Sequence, residues 1–450
     1  MSAAPHGIKA GDALEVEVAA LDREGDGVAI HGGAEVIVPG VFPGERAEVR
    51  VVHRSRGAPR LRARVMTILE ASPDRREPPC ERHSERRGAC TGCAWQGADE
   101  AAQRAFKRSM LATHHGLEVD EVIAMPAGDF GYRWSSKRVV GGRPGALRLG
   151  SYRRQSHELA DMRGCLVDHP VIAAAAHEVA EVAGGLGLRP FDPATGEGDL
   201  RYVWFKCDGR EVLVTLIGGD PAAEPAARAL AQRLRLPIGV AWSVQSSAGN
   251  AIRGDAATIL RGAGAIEVAL AGVRVRVGPL GFLQPNPAVA ELAYRDLVRG
   301  PTGDPLGGAL AYDLYAGAGV TTGLLRRGFA EVLACESNPE SAAALGAPAR
   351  SVADFLAEAR GPTPSLVIAN PPRAGLGEAV VERLVALAAP RLHLMSCSPQ
   401  ALAADLAGLQ AGGYRLAGLR AYDTLPQTPH VELVAWLDRG LSSGVPSDSA

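Results

Sequence analysis

The segment Asp313-Leu-Tyr-Ala-Gly-Ala-Gly319 decides the fold of this chain. The apolar run Ala309–Leu314 predicts a strand that leads into this glycine-rich turn, and a helix is expected from Thr321 onward. Small residues in such a turn let the backbone approach a ligand closely, and the N-terminus of the helix faces the same crevice. The segment therefore predicts a nucleotide-like ligand at the edge of a sheet.

Apolar strands alternate with helical stretches throughout the C-terminal part of the chain. This alternation is the pattern of a doubly wound, Rossmann-like parallel sheet in an α/β fold. The predicted strands are Ala309–Leu314, Val332–Glu336, Ser365–Ala369, Arg391–Ser396 and Val431–Leu437.

Glu336 ends the second of these strands, about 20 residues after the turn, where an acidic side chain can accept hydrogen bonds from two ribose hydroxyls. The turn lacks the full G-x-G-x-x-G pattern of phosphate-bearing dinucleotides, because Thr322 stands at the position of the third glycine. S-adenosylmethionine, which carries no phosphate, is therefore favoured over an NAD-like cofactor and over a purely structural turn.

Further strand ends carry side chains that can do chemistry. The loop Asn370-Pro-Pro-Arg-Ala-Gly375 is expected to line the crevice, although Pro and Gly are also common in ordinary turns. Cys397 offers a nucleophile whose pKa the helix N-terminus at Pro399 is expected to lower, whereas a lone cysteine is more often inert. Glu432 begins an apolar strand, a costly place for a carboxylate without a partner or a function.

The N-terminal region predicts a small closed β-barrel of the OB type, because five short strands separated by turns fit within 60 residues. The predicted strands are Ala13–Val18, Gly27–Ile30, Glu35–Val38, Ala47–Val52 and Leu61–Val65. Between Arg46 and Arg108 there are 15 Arg and Lys residues against 8 Asp and Glu residues. The arginines 54, 56, 60, 62 and 64 favour a surface that binds nucleic acid over a purely structural module or a solvated surface.

The central region is expected to mix helices and strands. Predicted helices cover Ala98–His115, Val171–Val182 and Pro225–Arg235, and predicted strands cover Val203–Cys207, Val212–Ile217 and Ile238–Val244. Seven cysteines and no leader sequence argue against a disulfide framework. Cys80, Cys90, Cys93 and the distant Cys165 have a spacing that favours an iron–sulfur cluster over zinc or no metal.

The composition of the 450-residue chain is ordinary for a globular protein, with 46% hydrophobic and 22% charged residues. No apolar run reaches about 18 residues, the lower limit for a membrane span. A cytoplasmic monomer without a membrane partner is therefore expected, and the Ser-, Gly- and Pro-rich tail at 441–450 is expected to be disordered.

At these residues the chain resembles the RNA uracil-5 methyltransferase family, which forms 5-methyluridine in ribosomal or transfer RNA. The resemblance implies an N-terminal OB-like TRAM barrel (8–67), a central mixed α+β iron–sulfur domain (75–280) and a C-terminal methyltransferase domain (281–440). The motifs that carry it are Val38-Pro-Gly-Val-Phe-Pro-Gly-Glu45, Gly150-Ser-Tyr-Arg-Arg-Gln-Ser-His157, Phe282-Leu-Gln-Pro-Asn286, Asp313-Leu-Tyr315, Glu336, Asn370-Pro-Pro-Arg373, Ser396-Cys397 and Pro426-Gln-Thr-Pro-His-Val-Glu432.

The resemblance also implies a role for each matching residue. Cys397 is the expected nucleophile and Glu432 the expected base. The residues expected to contact S-adenosylmethionine are Gln284, Tyr315, Gly317, Gly319, Glu336 and Asn370, and those expected to hold a 4Fe–4S cluster are Cys80, Cys90, Cys93 and Cys165.

This chain departs from the family pattern at several positions. Asn370 stands where the family usually has Asp, and Val320 and Ser398 stand where Asn is common. The gap between Cys80 and Cys90 is longer than usual, and Thr91 replaces a common Gly. These departures bear on catalytic efficiency and on the choice of substrate.

The expected reaction is methylation at C5 of a uridine that has been flipped out of folded RNA. Cys397 adds to C6, which makes C5 nucleophilic, and Glu432 removes the C5 proton. Ribosomal 23S RNA is the preferred substrate over tRNA. The alternatives are an amine N-methyltransferase, suggested by Asn370-Pro-Pro, and an RNA-binding relative without activity.

Overall fold

The computed structural model describes residues 8–56, 58–84, 90–126, 128–154, 156–247 and 252–440. It divides into two compact units. Unit 1 runs to Gly262 and also contains the segment Asp423–His430, whereas unit 2 covers Ala263–Tyr422 and resumes at Val431. The predicted boundaries at 67, 75 and 280 are finer than this division and stay predictions, and the predicted disordered tail lies outside the described residues.

Unit 1 begins with a six-stranded sheet of order β1-β5-β6-β4-β3-β2, in which only β4 and β6 are parallel neighbours. Its strands are β1 (Ala13–Glu17), β2 (Ala20–Leu21), β3 (Gly27–His31), β4 (Ala34–Val38), β5 (Arg46–Arg54) and β6 (Arg60–Glu70). Alternate side chains of β5, among them Ala47, Val49 and Val51, are buried in the core of this sheet. All five predicted strands are present, and the two-residue strand β2 is the addition.

The rest of unit 1 contains a second, seven-stranded sheet of order β10-β9-β8-β11-β12-β13-β14. Its elements are α1 (Glu100–His115), β7 (Val122–Ile123), β8 (Ser135–Arg143), β9 (Ala146–Tyr152), β10 (Leu159–Asp161), α2 (Pro170–Gly185), β11 (Tyr202–Cys207), β12 (Val212–Gly218), α3 (Glu224–Arg233), β13 (Gly239–Val244) and β14 (Ala257–Gly262). Ile172 and Val179 of α2 and Leu230 of α3 lie in its core. The predicted helices and strands of this region are confirmed.

Unit 2 contains a small hairpin and one larger sheet. Its elements are β15 (Ile266–Leu270), β16 (Val273–Val277), α4 (Pro287–Leu297), β17 (Gly308–Leu314), α5 (Val320–Leu325), β18 (Phe329–Cys335), α6 (Pro339–Leu345), α7 (Val352–Glu358), β19 (Leu366–Ala369), α8 (Glu378–Leu387), β20 (Arg391–Ser396), α9 (Pro399–Ala411), β21 (Tyr414–Tyr422) and β22 (Glu432–Arg439). Within the unit the strand order is β18-β17-β19-β20-β22-β21.

The sheet of unit 2 is mixed rather than wholly parallel. Strands β17 to β20 are parallel, whereas β22 runs antiparallel to both β20 and β21. The sequence predicted β22 but not β21. These two strands follow one another along the chain and are neighbours in the sheet, so they run antiparallel because no crossover helix joins them. The strand order reverses between β17 and β19, which is the point where ligands bind in doubly wound sheets. No helix among the described residues has the length and apolar character needed to cross a membrane.

Candidate active site

The glycine-rich turn follows β17 and has three residues in the left-handed backbone region. Tyr315 has a φ of 60°, Gly317 of 56° and Gly319 of 90°. A Cβ atom at Gly319 would lie 2.6 Å from Cδ2 of Leu345, whereas a Cβ atom at Gly317 would meet nothing within 4 Å. Gly319 is therefore needed for packing, and Gly317 leaves the backbone bare where it faces open space.

Glu336 lies directly after β18 and is bonded to this turn. The backbone N–H of Gly317 donates to Oε2 of Glu336 at 2.9 Å, and the N–H of Asn338 donates to Oε1 at 2.6 Å. Each carboxylate oxygen has a second lone pair. The predicted ribose acceptor is therefore fixed beside the predicted cofactor turn, with acceptor capacity remaining.

Asp313 joins the end of β17 to the start of α5. Its Oδ2 atom accepts hydrogen bonds from the hydroxyls of Thr321, at 2.8 Å, and Thr322, at 2.5 Å. Burial raises the pKa of Asp313 to about 6, although the two threonine bonds act in the opposite direction. Thr322, which the sequence marked only as a departure from the dinucleotide pattern, therefore fixes the first turn of the helix.

Gln284 is buried just before α4 and hydrogen-bonds the side chain of Tyr294 on that helix. Burial raises the pKa of Tyr294, and the nearby carboxylates of Glu432 and Asp313 add to the effect. The segment that carries Gln284 is held by Glu340, which accepts from the N–H groups of Leu280 and Gly281 at 3.1 and 2.8 Å. Tyr294 was not predicted, because nothing in its sequence context distinguishes it from a core aromatic residue.

Asn370 follows β19 at the same edge of the sheet, and its N–H donates to the carbonyl of Leu314 at 3.3 Å. The loop that begins there is shaped by Asp405 of α9, whose Oδ2 accepts from the N–H of Leu376 at 2.9 Å. A Cβ atom at Gly375 would lie 2.6 Å from the same Oδ2 atom, so this glycine is required. Asp405 therefore fixes the loop that carries Arg373.

Cys397 and Glu432 lie side by side at the ends of neighbouring strands. Ser396 is paired with Leu433 across β20 and β22, which puts the next pair of residues, Cys397 and Glu432, opposite one another. Cys397 keeps part of its surface open to solvent although neighbouring residues crowd its thiol, whereas Glu432 is only 4% exposed. The structure thus brings the predicted nucleophile and the predicted base together.

Arg373 is the charged neighbour of both groups. Burial raises the pKa of Cys397 and the carboxylate of Glu432 raises it further, while the charge of Arg373 and a hydrogen bond from it have the opposite effect. The net shift is upward, so a lowering effect of the helix N-terminus at Pro399 does not dominate, and that effect stays a prediction. Burial raises the pKa of Glu432 to about 8, again opposed by Arg373. The sequence showed Arg373 only as part of a motif and not as a partner of this pair.

Two departures from the family pattern have structural explanations. Ser398 is the N-cap of α9, and its hydroxyl accepts from the N–H of Ala401 at 3.3 Å. Serine and asparagine cap helices about equally well, so this function is kept. Thr91 accepts a hydrogen bond from the N–H of Arg154 at 3.0 Å. The structure gives no account of Val320, which is buried at the start of α5.

In unit 1 the four predicted ligand cysteines line one cavity of about 40 Å³: Cys80, Cys90, Cys93 and Cys165. Burial raises the pKa of Cys90, and it raises the pKa of Cys93 to about 12. In the described part of the chain, no group of three or more His, Cys, Asp or Glu side chains is placed to hold a metal ion. The cysteines are thus brought together without forming a site for a single ion, and the cluster stays a prediction.

The β5–β6 pair presents arginines to solvent. Arg50 lies opposite Arg64, and His53 lies opposite Arg62. Arg60 instead pairs with Glu35 at 2.7 Å. Like charges that face each other across two strands are destabilising. This arrangement is the one expected of a surface that meets a polyanion.

Comparison with known proteins identifies the class of enzyme that this site resembles. A family model described as tRNA (uracil-5-)-methyltransferase matches residues 363–440. An uncharacterized RNA methyltransferase of Geobacter sulfurreducens is 31% identical over 461 residues, covering 96% of this chain and 91% of the relative. A second uncharacterized RNA methyltransferase, from Gloeobacter violaceus, is 32% identical and covers 97% and 98% of the two chains.

A solved structure resembles most of the molecule. The Pyrococcus abyssi tRNA (uracil-54, C5)-methyltransferase, in complex with S-adenosyl-L-homocysteine, superimposes with a TM-score of 0.72 at 25% identity. The match covers 94% of this chain and 99% of that protein. The likeness therefore extends well beyond the region that the family model matches.

Proposed function

Because this chain belongs to the RNA uracil-5 methyltransferase family, we propose that it methylates C5 of a uridine in RNA through a covalent bond between Cys397 and uracil C6. It is an S-adenosylmethionine-dependent RNA methyltransferase. The observation that carries the proposal is the placement of Cys397 opposite Glu432, with Arg373 beside both. A covalent step needs a nucleophile and a base within reach of one ring, and this geometry supplies them.

The cofactor is proposed to bind across the switch point of the sheet. S-adenosylmethionine, when bound, supplies the methyl group as a sulfonium. Glu336 accepts from its ribose, and the bare backbone at Gly317 allows a close approach. The other residues proposed to contact it are Gln284, Tyr315, Gly319 and Asn370. The relative from Pyrococcus abyssi binds the demethylated product of the same cofactor, which supports this assignment.

Each catalytic residue has one proposed task. Arg373 donates a hydrogen bond to Cys397 and favours its thiolate form, which adds to uracil C6. The addition moves electron density onto C5. Once C5 carries the methyl group, Glu432 removes the C5 proton and Cys397 leaves from C6, which restores the aromatic ring. Burial excludes water from Glu432, so the proton it accepts comes from the substrate.

The preferred substrate is 23S ribosomal RNA, because a basic barrel and a cysteine cluster together favour it over tRNA. Transfer RNA is the second candidate, since the family model and the Pyrococcus abyssi relative are both described as tRNA enzymes. Mass mapping of 5-methyluridine after incubation with each RNA separates the two. An N-methylated adenine or cytosine as the product would instead favour the amine methyltransferase that Asn370-Pro-Pro suggested.

The N-terminal sheet is proposed to be a TRAM barrel that contacts the RNA, and the central region is proposed to hold a 4Fe–4S cluster on Cys80, Cys90, Cys93 and Cys165. The cysteines fit the cluster in that they share one cavity. Gln96 also lines this cavity, and its buried Nε2 atom has no hydrogen-bond partner. Such a cluster is larger than one ion, so thiols too far apart for a single metal can hold it. Methyl transfer needs no electron, so the proposed function of the cluster is to support the structure or to position the RNA. The monomeric state and the cytoplasmic location remain predictions.

A covalent trap tests the proposed function. In RNA with 5-fluorouridine, the fluorine at C5 cannot leave as a proton does, so the adduct with Cys397 should persist as a shifted band on a denaturing gel. Cys397→Ala should abolish the band. Cys335→Ala, which removes a buried cysteine of the same unit, should keep it. A band of equal strength from Cys397→Ala would show that another residue is the nucleophile.

A further inference from the structure

Four buried side-chain nitrogen atoms in the described part of the chain have no hydrogen-bond partner. Two of them belong to Gln96 and Arg133, which line the cysteine cavity, and two to Arg138, which lines a neighbouring cavity. They are Nε2 of Gln96, Nε of Arg133, and Nε and Nη1 of Arg138. A buried donor without an acceptor destabilises a protein by about 1–3 kcal/mol. Donors of this kind in one place indicate an acceptor that is absent from the protein itself.

Each of the three residues lies near the cysteines by a separate observation. Gln96 and Arg133 line the cysteine cavity, and Oε1 of Gln96 accepts from the N–H of Cys80 at 3.0 Å. Arg138 and Cys165 both line a neighbouring cavity of about 500 Å³.

The charges around the cavity are also unbalanced. Arg138 is 2% exposed and donates through Nη2 to Asp168, which is 3% exposed. Arg133 contributes a second guanidinium, so one carboxylate faces two cations. Burying an unpaired charge is strongly unfavourable. An iron–sulfur cluster on four thiolates has a net charge of about −2 when oxidised and about −3 when reduced, and its sulfur atoms accept N–H donors.

We propose that Gln96, Arg133 and Arg138 form the outer shell of the cluster on these cysteines, where they donate to its sulfur atoms and balance its charge. The proposal rests on the cluster in the proposed function. Because the reduced cluster carries one more negative charge, the two guanidinium groups stabilise it more than the oxidised form. They therefore raise the reduction potential, and they also slow the loss of iron.

The test uses the full-length protein purified without oxygen, together with Arg133→Met, Arg138→Met and Gln96→Glu. Gln96→Glu keeps the oxygen that accepts from Cys80 and removes the donor. Arg201→Met is the matched control, since Arg201 is an 8% exposed arginine of the same unit that donates to the carbonyl of Gln245 at 2.6 Å. Iron and sulfide content, the rate of iron loss to a chelator, and the midpoint potential during dithionite titration are measured.

We expect the three shell variants to lose iron about 10–100-fold faster than the wild type and to have more negative potentials, while Arg201→Met matches the wild type. An arginine variant that is purified without iron also supports the proposal, provided that its circular dichroism spectrum equals that of the wild type and shows that it is folded. If both arginine variants misfold, the rate of iron loss and the midpoint potential of Gln96→Glu test the proposal. Potentials and rates equal to those of the wild type in the folded variants overturn the proposal. Wild-type protein with zinc or no metal overturns the cluster itself and leaves the methyltransferase proposal untouched.

Discussion

At the scale of single residues, the protonation of Glu432 controls what the active site can do. Its pKa of about 8 means that only about a tenth of the molecules carry the carboxylate at pH 7. Burial also raises the pKa of Cys397. Both groups act in their deprotonated forms, so the resting site is a neutral thiol and a neutral acid beside Arg373.

We therefore expect the release of the C5 proton, divided by the rate of adduct formation at the same pH, to accelerate as the pH rises from 6 and to level off above about 8. The division removes the titration of Cys397, which both steps need. The rate of tritium release from RNA with 5-tritiated uridine measures this step. Adduct formation by Glu432→Gln on 5-fluorouridine RNA serves as the control, because it needs Cys397 but no proton removal. If this ratio is flat between pH 6 and 9, Glu432 is already ionised in the complex with RNA.

The effect of Asn370, which stands where the family usually has Asp, can be measured by substitution. An aspartate there would add a charge, and charge-assisted hydrogen bonds are about twice as strong as neutral ones. The deficit with Asn is about 1–2 kcal/mol, or about ten-fold in rate or affinity. Asn370→Asp should thus raise 5-methyluridine formation about ten-fold.

The control for this substitution is Gln410→Glu, which makes the same change from an amide to a carboxylate on an exposed side chain near the end of α9. It should leave the rate unchanged. If Asn370→Asp abolishes activity, the amide itself is required. An amine methyltransferase requires it, and nucleoside analysis of the wild-type product would then reveal an N-methyl base.

At the scale of elements, the turn after β17 makes the cofactor assignment testable. Gly317 and Gly346 both have positive φ angles, of 56° and 70°, and a Cβ atom at either would meet nothing within 4 Å. Alanine at either position should therefore strain the backbone to a similar degree, by about 1–2 kcal/mol. Only Gly317 belongs to the turn that is proposed to contact S-adenosylmethionine.

We expect Gly317→Ala to weaken binding of S-adenosylhomocysteine at least about ten-fold, while Gly346→Ala retains wild-type affinity. Calorimetric titration measures the affinity, and urea unfolding checks that the two variants lose similar stability. Equal affinities in the two variants would place the cofactor away from this turn.

The sequence predicted the elements with strong local patterns and missed those that depend on partners far along the chain. The five N-terminal strands and α1 to α3 have clear turn or helix signals, and all are present. Strand β8 contains Gly141 and Gly142, and β21 contains Gly418, and glycine weakens a strand. The sequence pattern therefore predicts neither strand. They exist because neighbouring strands pair with them.

The candidate site divides in the same way. Cys397, Glu432 and the turn residues were predicted because each lies at the end of a strand with a recognisable motif. The contact of Arg373 with Cys397 was not predictable, because it arises only when β19, β20 and β22 are neighbours in one sheet. The protonation of Glu432 likewise follows from burial, which the sequence does not display.

At the scale of the whole molecule, the two units have separate proposed tasks. Unit 2 contains every residue proposed for methyl transfer, and unit 1 contains both the arginine-rich β5–β6 pair and the cysteine cavity. RNA affinity and chemistry should therefore respond to different substitutions. A change on β5 or β6 should weaken RNA binding and leave the affinity for S-adenosylhomocysteine as it was.

Arg50 and Arg64, which face each other across β5 and β6, allow this separation to be measured. A lysine or arginine that contacts phosphate contributes about one unit to the slope of log affinity against log salt. Arg50→Gln and Arg64→Gln should each lower that slope by about 1 and weaken binding of different RNA sequences to a similar extent. Arg228→Gln, an exposed arginine of the same unit that pairs with Glu224 on α3, is the matched control for charge. Filter binding between 50 and 300 mM salt (a range on the order of that used for such slopes) gives all four slopes. If Arg228→Gln changes the slope as much as the other two, the RNA senses only the net charge of the protein, and the N-terminal sheet has no specific part in binding it.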